Sequence, residues 1–583
     1  MILQALVQCY EALAADGRLD KPGWLDAKAS WSLELDASGQ LRRIFPVGTT
    51  DQKGRLTGRM MRLPEQAKRT SGVAACFLCN NAAYMLGVNV KENKNRALEC
   101  YAACAALHLA LLKDVQAPMA QAICRFFQQW DAQNAETHPL VSPLLDALKT
   151  GGNLVFSMEG VFAQEVTQIR EVWDRHYQDQ SDAPRGRCLV TGEEGPIAVL
   201  HPSIKGVAGA QPTGASLVSF NAPAYESYGR VEAQGLNAPV GQRAAFAYGA
   251  ALNALLRDRD YYTRLGDSTM VYWAEGAERP YSTTLAFLMG NADDGVDQAM
   301  LRAAADDLRN GKTAVLDGVP LRPDNNFYIL GLAPNASRLS VRFFLRNSFR
   351  QFAVNLHAHQ ERMRIVRPGY DSREELALWA LLRETANPKS TDKKPPDDLV
   401  GDVMRAILMN TPYPAALFAQ VEVRLRAEQE VTPGKAAIIK AYLLKNVVRE
   451  KKEHRLKEVL TVNLNDEATY TPYVLGRLFA VLEGLQQSAN PGINATIRDR
   501  YFNAACATPA HVFPTLLKLA QNHLNKLDGG LSVYYDKMMT ELCSRLTESL
   551  PRHLPLEDQG VFQLGYYHQK QALYNKKGDQ KNG

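Results

Sequence analysis

The chain carries almost no surplus of charge: 67 Lys and Arg stand against 62 Asp and Glu in 583 residues, a formal net charge of +5. So small an excess does not by itself point to a nucleic-acid partner; what counts is where the cations sit. Cysteine is scarce too, nine in all and an odd number, which argues against a disulfide-stapled scaffold. Long apolar runs are missing. The most apolar, residues 100–112 (CYAACAALHLALL), has 13 residues with His108 inside it and is too short to span a bilayer. The first twenty residues lack a basic start, and Glu11 and Asp16 precede any small-residue cleavage site, unlike a signal peptide. A soluble, cytoplasmic protein is expected. No internal repeat of 20–50 residues is visible. At about 100–200 residues per domain the length suggests three or four domains.

Catalytic signatures are equally thin. Gly311-Lys312-Thr313 resembles the end of a P-loop, but the glycine required five positions earlier is Asp306, a carboxylate where phosphate would lie. There is no His-Glu-x-x-His motif and no Gly-x-Ser-x-Gly elbow. Cys76, Cys79, Cys100 and Cys104 have a spacing like that of a four-thiolate zinc site. Both pairs lie in Ala-rich apolar stretches without knuckle glycines, where cysteine commonly serves as a small core residue.

What is present divides the chain. Residues 3–15 keep helical apolar spacing, and residues 31–35 and 41–47 flank an Ala-Ser-Gly turn, as in a hairpin. Residues 74–87 and 95–112 read as helical. Short β-type runs among Gly, Pro and Ser occupy residues 188–228, and further strands are expected at 269–274, 327–332 and 339–345. Beyond about residue 376 the β signal stops. A Pro-rich charged stretch, 387–398, leads into periodic helical segments whose connections carry stop signals (Asn490-Pro491-Gly492, Asp528-Gly529-Gly530). The expected fold is α+β: a mixed α/β N-terminal body with Gly-rich loops over residues 1–375, linker and connecting helices over 376–455, and an all-α bundle over 456–583.

Two segments stand out for binding. Residues 42–70 hold eight Lys or Arg against Asp51 and Glu65, with Gly48, Gly54 and Gly58 among them. A loop of that composition can follow a phosphate backbone, or be a solvated surface. Residues 203–219 (SIKGVAGAQPTGASLVS) combine Lys205 with small residues and the hydrogen-bonding Gln211, Thr213 and Ser216. This is either a structural Gly-rich turn or a binding loop.

The stretches HPSIKGVAGAQPTGASLVSFNAPAYESYG (201–229), FLCNNAAYMLG (77–87), YILGLAPNASRLSVRFF (328–344) and YVLGRLFAVLEGLQQSANPGINATIRDRY (473–501) together resemble the large subunit of the type I-C CRISPR Cascade complex, along essentially the whole chain. The resemblance implies a non-catalytic subunit without a cofactor. It implies a role in recognising the protospacer-adjacent motif (PAM) of double-stranded DNA, opening the duplex toward an R-loop, and docking the helicase-nuclease that cuts. The implied partners are crRNA, target DNA, the Cascade backbone subunits, the subunit holding the crRNA 5′ handle and the small subunit; none is a membrane. The small subunit resembles the C-terminal helical part and can be translated from within the same gene. Guide pairing would read sequence while protein reads the short PAM, as in another effector class. Within this frame Asn80, Asn81, Lys205, Gln211 and Ser216 are the candidate PAM readers, because amides donate and accept and suit the acceptor-rich minor groove. Lys53, Arg55, Arg59 and Arg62 are the candidate phosphate contacts. The competing reading is a zinc-dependent nucleic-acid hydrolase using Cys76, Cys79, Cys100 and Cys104.

Overall fold

The last strand ends at Ser348, and every regular element after it among the described residues is helical. The expected α+β body followed by helices is therefore what the chain builds. The computed structural model describes residues 1–583 except 20, 51–55, 67–71, 90–93, 179–182, 221, 267, 291–296, 372–376, 392, 450, 452, 547–548 and 580–583. The chain forms two compact units, Met1–Ser203 with Val218–Ala254, and Ile204–Leu217 with Leu255–Gly583.

The first unit opens with the helix Ile2–Ala15, which buries Leu6, Cys9, Tyr10 and Leu13. The expected hairpin forms from Trp31–Leu35 and Leu41–Pro46. Asp36 closes its turn: one carboxylate oxygen accepts from the Ser38 and Gln40 backbone N–H groups at 2.9 and 3.0 Å. The Ser38 hydroxyl adds a third bond, and together these hold the carboxyl at about 2. Trp31–Leu35 continues in parallel to Leu154–Met158, which also pairs with the short strands Cys79–Asn80 and Val161–Phe162. Helices Lys94–Leu112, Pro118–Gln129 and Thr167–Gln178 contribute to a core rich in aromatic rings, among them Phe77, Phe126, Phe127, Phe156 and Trp173.

Two expectations are corrected here. Residues 74–87 are not one helix. Leu78 takes a left-handed backbone (φ 58°), Cys79–Asn80 is strand, and the helix is only Ala82–Leu86. Nor is the basic stretch one loop: Arg59–Pro64 pairs antiparallel with Trp24–Ala29 as a two-stranded ribbon.

The second unit contains a six-stranded sheet in the order Ser203–Ile204, Ala215–Ser216, Arg338–Ser348, Asn326–Asn335, Ser268–Ala274, Tyr262–Leu265. One apolar core runs from this sheet through helices Phe349–Met363, Asp397–Leu408, Ala415–Glu428 and Pro433–Tyr442. A second core holds the helical end. The helices Thr471–Ala489 and Leu556–Asp579 belong to both: Tyr473, Val561, Leu564 and Tyr567 face the first, and Val474, Leu478, Phe562 and Tyr566 the second. These two helices touch backbone to backbone. A Cβ on Gly476 would lie 1.9 Å from the Phe562 carbonyl oxygen, and one on Gly565 would lie 2.3 Å from that of Tyr473. Only glycine permits such approach.

Candidate nucleic-acid interface

The Gly-rich segment becomes a surface loop with buried feet. Val207 and Ala215 are buried. The Ala208 N–H donates to the Thr269 hydroxyl at 3.0 Å, and the Ser216 N–H to the Ser337 carbonyl at 3.0 Å. Between these anchors the backbone reverses through Gly206, Gly209 and Gly214, all in the left-handed region (φ 92°, 74° and 102°). There a side chain would be strained, and at Gly209 a Cβ would also crowd Pro334 at 3.1 Å. What the loop offers outward is polar: Lys205, Gln211 and Thr213 are exposed. Ser216 is half-buried where it pairs with Arg338 in the sheet.

That pairing brings in residues the sequence did not single out. The loop's second foot lies against the tip of the hairpin Asn326–Asn335 / Arg338–Ser348, where Asn335 and Ser337 are exposed and Arg338 is half-buried. The available signal was the turn-forming Asn335-Ala336-Ser337 between two β runs, with Ala336 at φ 52°. The result is one sheet edge carrying Lys205, Gln211, Thr213, Asn335, Ser337 and Arg338.

Asn80 and Asn81 are placed differently. Asn80 is 1% exposed; its amide donates to the Cys76 carbonyl at 2.6 Å and approaches the Cys104 sulfur at 3.5 Å. It braces the core and does not face a ligand, which corrects its assignment as a base reader. Asn81 is half-buried and caps the helix Ala82–Leu86, its oxygen accepting from the Ala83 and Tyr84 N–H groups at 3.1 and 3.4 Å. His108 completes this brace. Its Nε2 accepts from the Leu78 N–H at 2.9 Å and its Nδ1 donates to the Cys104 carbonyl at 2.7 Å. Burial pushes the imidazole down to about 4.

The candidate phosphate contacts split. Lys53 and Arg55 lie outside the described residues. Arg59 is exposed on the ribbon. Arg62 stands 3.7 Å from Asp26 and donates to the Arg18 carbonyl at 3.3 Å. Arg42 and Arg43 are paired with Asp36 and Glu34 across the neighbouring hairpin. The positive stretch is thus partly neutralised by its own strand partners.

The cysteines of the competing reading are core residues. Cys76, Cys79, Cys100 and Cys104 are all buried, and among the described residues no three His, Cys, Asp or Glu side chains are grouped as metal ligands. Gly311-Lys312 follows the C-terminal end of the helix Gln298–Arg309, where the Lys312 N–H donates to the Asp307 carbonyl. A phosphate-binding loop instead leads into a helix N-terminus. No described helix is long and apolar enough to cross a membrane.

No curated protein matches the sequence. A family profile does: the one described as CRISPR-associated protein (Cas_Csd1) matches residues 6–574. Nothing in that match or in the cysteine geometry supports the zinc hydrolase. With the match running nearly end to end, the chain belongs to the CRISPR-associated Cas_Csd1 family, a membership that points to a Cascade-type component.

Proposed function

We propose that the chain is the non-catalytic large subunit of a type I-C Cascade complex, acting in the cytoplasm, and that it reads the PAM of double-stranded DNA with the sheet edge formed by residues 204–217 and 335–338. The observation that carries this reading is the loop itself: exposed Lys205, Gln211 and Thr213 on a backbone tied at both feet to a six-stranded sheet. A reader must hold its donors in place before DNA arrives, and rigid anchoring does that. Gln211 addresses a base edge with both donor and acceptor, Lys205 supplies a donor to groove acceptors or phosphate, and the glycines let the backbone approach closely. Ser216 and Arg338 hold the loop's foot on the sheet.

In this role the subunit reads only the PAM, crRNA pairing reads the rest, and the subunit helps open the duplex and presents a surface to the helicase-nuclease. Arg59 and Arg62, with Lys53 and Arg55, contact phosphates of the nucleic acid.

The test uses the assembled complex with crRNA and three targets: correct PAM, altered PAM, and a target already unpaired beside the PAM. Lys205→Ala with Gln211→Ala abolishes the preference for the correct PAM while binding of the pre-opened target persists. Equal loss on all three targets, or an unchanged preference, overturns the reading.

A further inference from the structure

In the first unit, exposed apolar side chains concentrate in one place. Of the 22 large ones exposed among the described residues, six lie between residues 189 and 231: Leu189, Val199, Leu200, Tyr225, Tyr228 and Val231. Single exposed apolar side chains are ordinary on any surface, whereas a concentration of them marks an interaction site. Tyr228 is 95% exposed and Val231 73%.

Backbone bonds lay two loops side by side to make this surface. The Leu189 N–H donates to the Pro239 carbonyl at 2.9 Å, the Ala198 N–H to the Val240 carbonyl at 2.9 Å, and the Gly235 N–H to the Val199 carbonyl at 3.0 Å. Residues 227–237 close around one hub, Asn237. Its side-chain oxygen accepts from the Ser227 N–H at 2.9 Å, and its amide donates to the Gln234 carbonyl at 3.0 Å and the Arg230 carbonyl at 3.4 Å. The Arg230 guanidinium donates to the Leu236 carbonyl, and the Glu226 carboxylate accepts from the Glu232 N–H at 2.8 Å. Compact loops closed in this way are frequently functional. Within it Tyr228, Glu232 and Gln234 hold left-handed backbone (φ 57°, 56° and 46°). Strain of that kind persists only where surrounding bonds over-determine it. The loop thus uses polar groups internally and turns apolar ones to solvent, the reverse of an ordinary surface loop.

Charge selects the partner. Residues 185–200 and 222–241 carry Glu193, Glu194, Glu226 and Glu232 against Arg185, Arg187 and Arg230. Arg187 and Arg230 fold back onto carbonyls of their own loops, at Gly192 and Leu236. A polyanion gains nothing from such a balance, and neither does an anionic lipid surface. A second copy would set the same carboxylates against one another. A protein with an apolar recess for Tyr228 and cations around it suits both the apolar and the acidic groups, since interfaces combine aromatic anchors with complementary charge. Proteins that coat RNA carry cationic surfaces. We infer that this face docks the chain onto a basic, RNA-coating protein subunit, with Tyr228 and Val231 as apolar anchors and Glu193 and Glu194 opposite its cations. The inference rests on the reading of the chain as part of a crRNA-guided complex and adds the surface that holds it there, on residues apart from the PAM-reading edge.

The test uses the crRNA-loaded complex assembled without this chain and measures how tightly the purified full chain joins it. Tyr228→Ser with Val231→Ser weakens the association by about tenfold or more. Glu193→Lys with Glu194→Lys, on the other loop, weakens it by a similar factor and flattens its dependence on salt. Unchanged affinity in either variant overturns the inference. A further measurement does not depend on weakened binding. Benzoylphenylalanine in place of Tyr228 crosslinks, in the assembled complex, to a protein subunit; crosslinks to crRNA, to DNA or to a second copy of this chain overturn the inference. A parent chain that does not join the crRNA-loaded subunits overturns the functional reading and the inference together. A parent chain that joins them no more tightly than the Tyr228→Ser, Val231→Ser chain overturns the inference alone. Lys205→Ala with Gln211→Ala leaves assembly as it was, so the docking face and the PAM edge fail separately.

Discussion

The two units bury different kinds of polar group. In the first, the buried polar side chains among the described residues are Ser30, Ser32, Asn80, His108, Ser157, Gln164 and His201, none of them a fixed charge. In the second, six charged side chains are buried: Glu422, Lys435, Lys440, Lys445, Arg477 and Glu483. Among the described residues no Lys or Arg of the first unit is buried. The second, beside exposed cations such as Lys205, also directs charge inward. Glu483 accepts from the Tyr566 hydroxyl at 2.6 Å and the Thr496 hydroxyl at 3.1 Å, with Lys570 at 3.6 Å and Arg498 at 3.8 Å. Arg477 donates to Gln569 at 3.0 Å and to Asp466 at 2.8 Å. Apolar helices of similar length can slide or rotate against one another; buried ionic partners fix one register, as a buried polar residue does in coiled coils. The contrast teaches that a net charge near zero hides an uneven use of charge: cations kept out of the interior in one unit, and charge partly buried for alignment in the other.

The comparison breaks most visibly at Glu483. Glu483→Ala leaves Lys570 and Arg498 without their buried partner, and loss of one member of a buried pair costs about 3–5 kcal/mol. Amide exchange resolved by segment shows that loss in Thr471–Ala489, Ile497–Ala507 and Leu556–Asp579, with the first unit unchanged. A loss spread over both units refutes the division of roles.

The next effect depends on pH. Burial raises the Glu422 carboxyl to about 7, against lesser lowering by Gln563 and Arg426. A carboxyl with a raised folded pKa destabilises the fold above that pKa and relieves it as pH falls toward the unfolded value. Glu422→Gln therefore gains on the parent chain at pH 8, and the advantage disappears by pH 4.5, a swing of about 3 kcal/mol. Denaturation midpoints at the two pH values measure it. The first unit has the opposite sign. Neutral His108, held down to about 4, lets the unfolded state take up a proton first below pH 6.5. Stability there is complete above that pH and falls by about 2 kcal/mol on reaching pH 5. His359 and His568, each pushed down to about 3 chiefly by burial, act in the same direction in the second unit, where Glu422 opposes them. Exchange at pH 7 and pH 5 in Lys94–Leu112 measures the His108 effect, and an unchanged protection removes it. The smallest expected effect is Asn81→Ala, about 1 kcal/mol from the lost helix cap. It loosens Ala82–Leu86, and Asn81→Asp restores it.

Legibility followed periodicity. The first helix, the hairpin around Asp36 and the helix Thr471–Ala489 ahead of the Asn490-Pro491-Gly492 stop were plain because apolar spacing and stop signals agreed. The ribbon was not: Trp24–Ala29 and Arg59–Pro64 alternate poorly, and their pairing spans a basic stretch whose composition reads as loop. Nor was the helix Leu556–Asp579, because His568, Gln563, Gln569 and Gln571 are polar residues buried on its inner face. In the candidate site, Lys205, Gln211 and Ser216 were legible through glycine spacing. The burial of Asn80 was not, since a left-handed Leu78 and a distant His108 set it. On the docking face the exposure of Tyr228 was not legible either, since the hydrogen bonds that close its loop on Asn237 set it.

The paired glycines of Thr471–Ala489 and Leu556–Asp579 also set an order of events during synthesis. Arg477 leaves the ribosome 92 residues before Gln569, its partner, which at 5–20 residues per second is a wait of roughly 5–20 s. Through that interval the earlier helix has one wall of each core missing, and the bare backbone stripe at Gly476 faces nothing that fits it. The second unit is thus closed by a late-arriving strut, and its vulnerable moment falls between two helices rather than at the start of the chain.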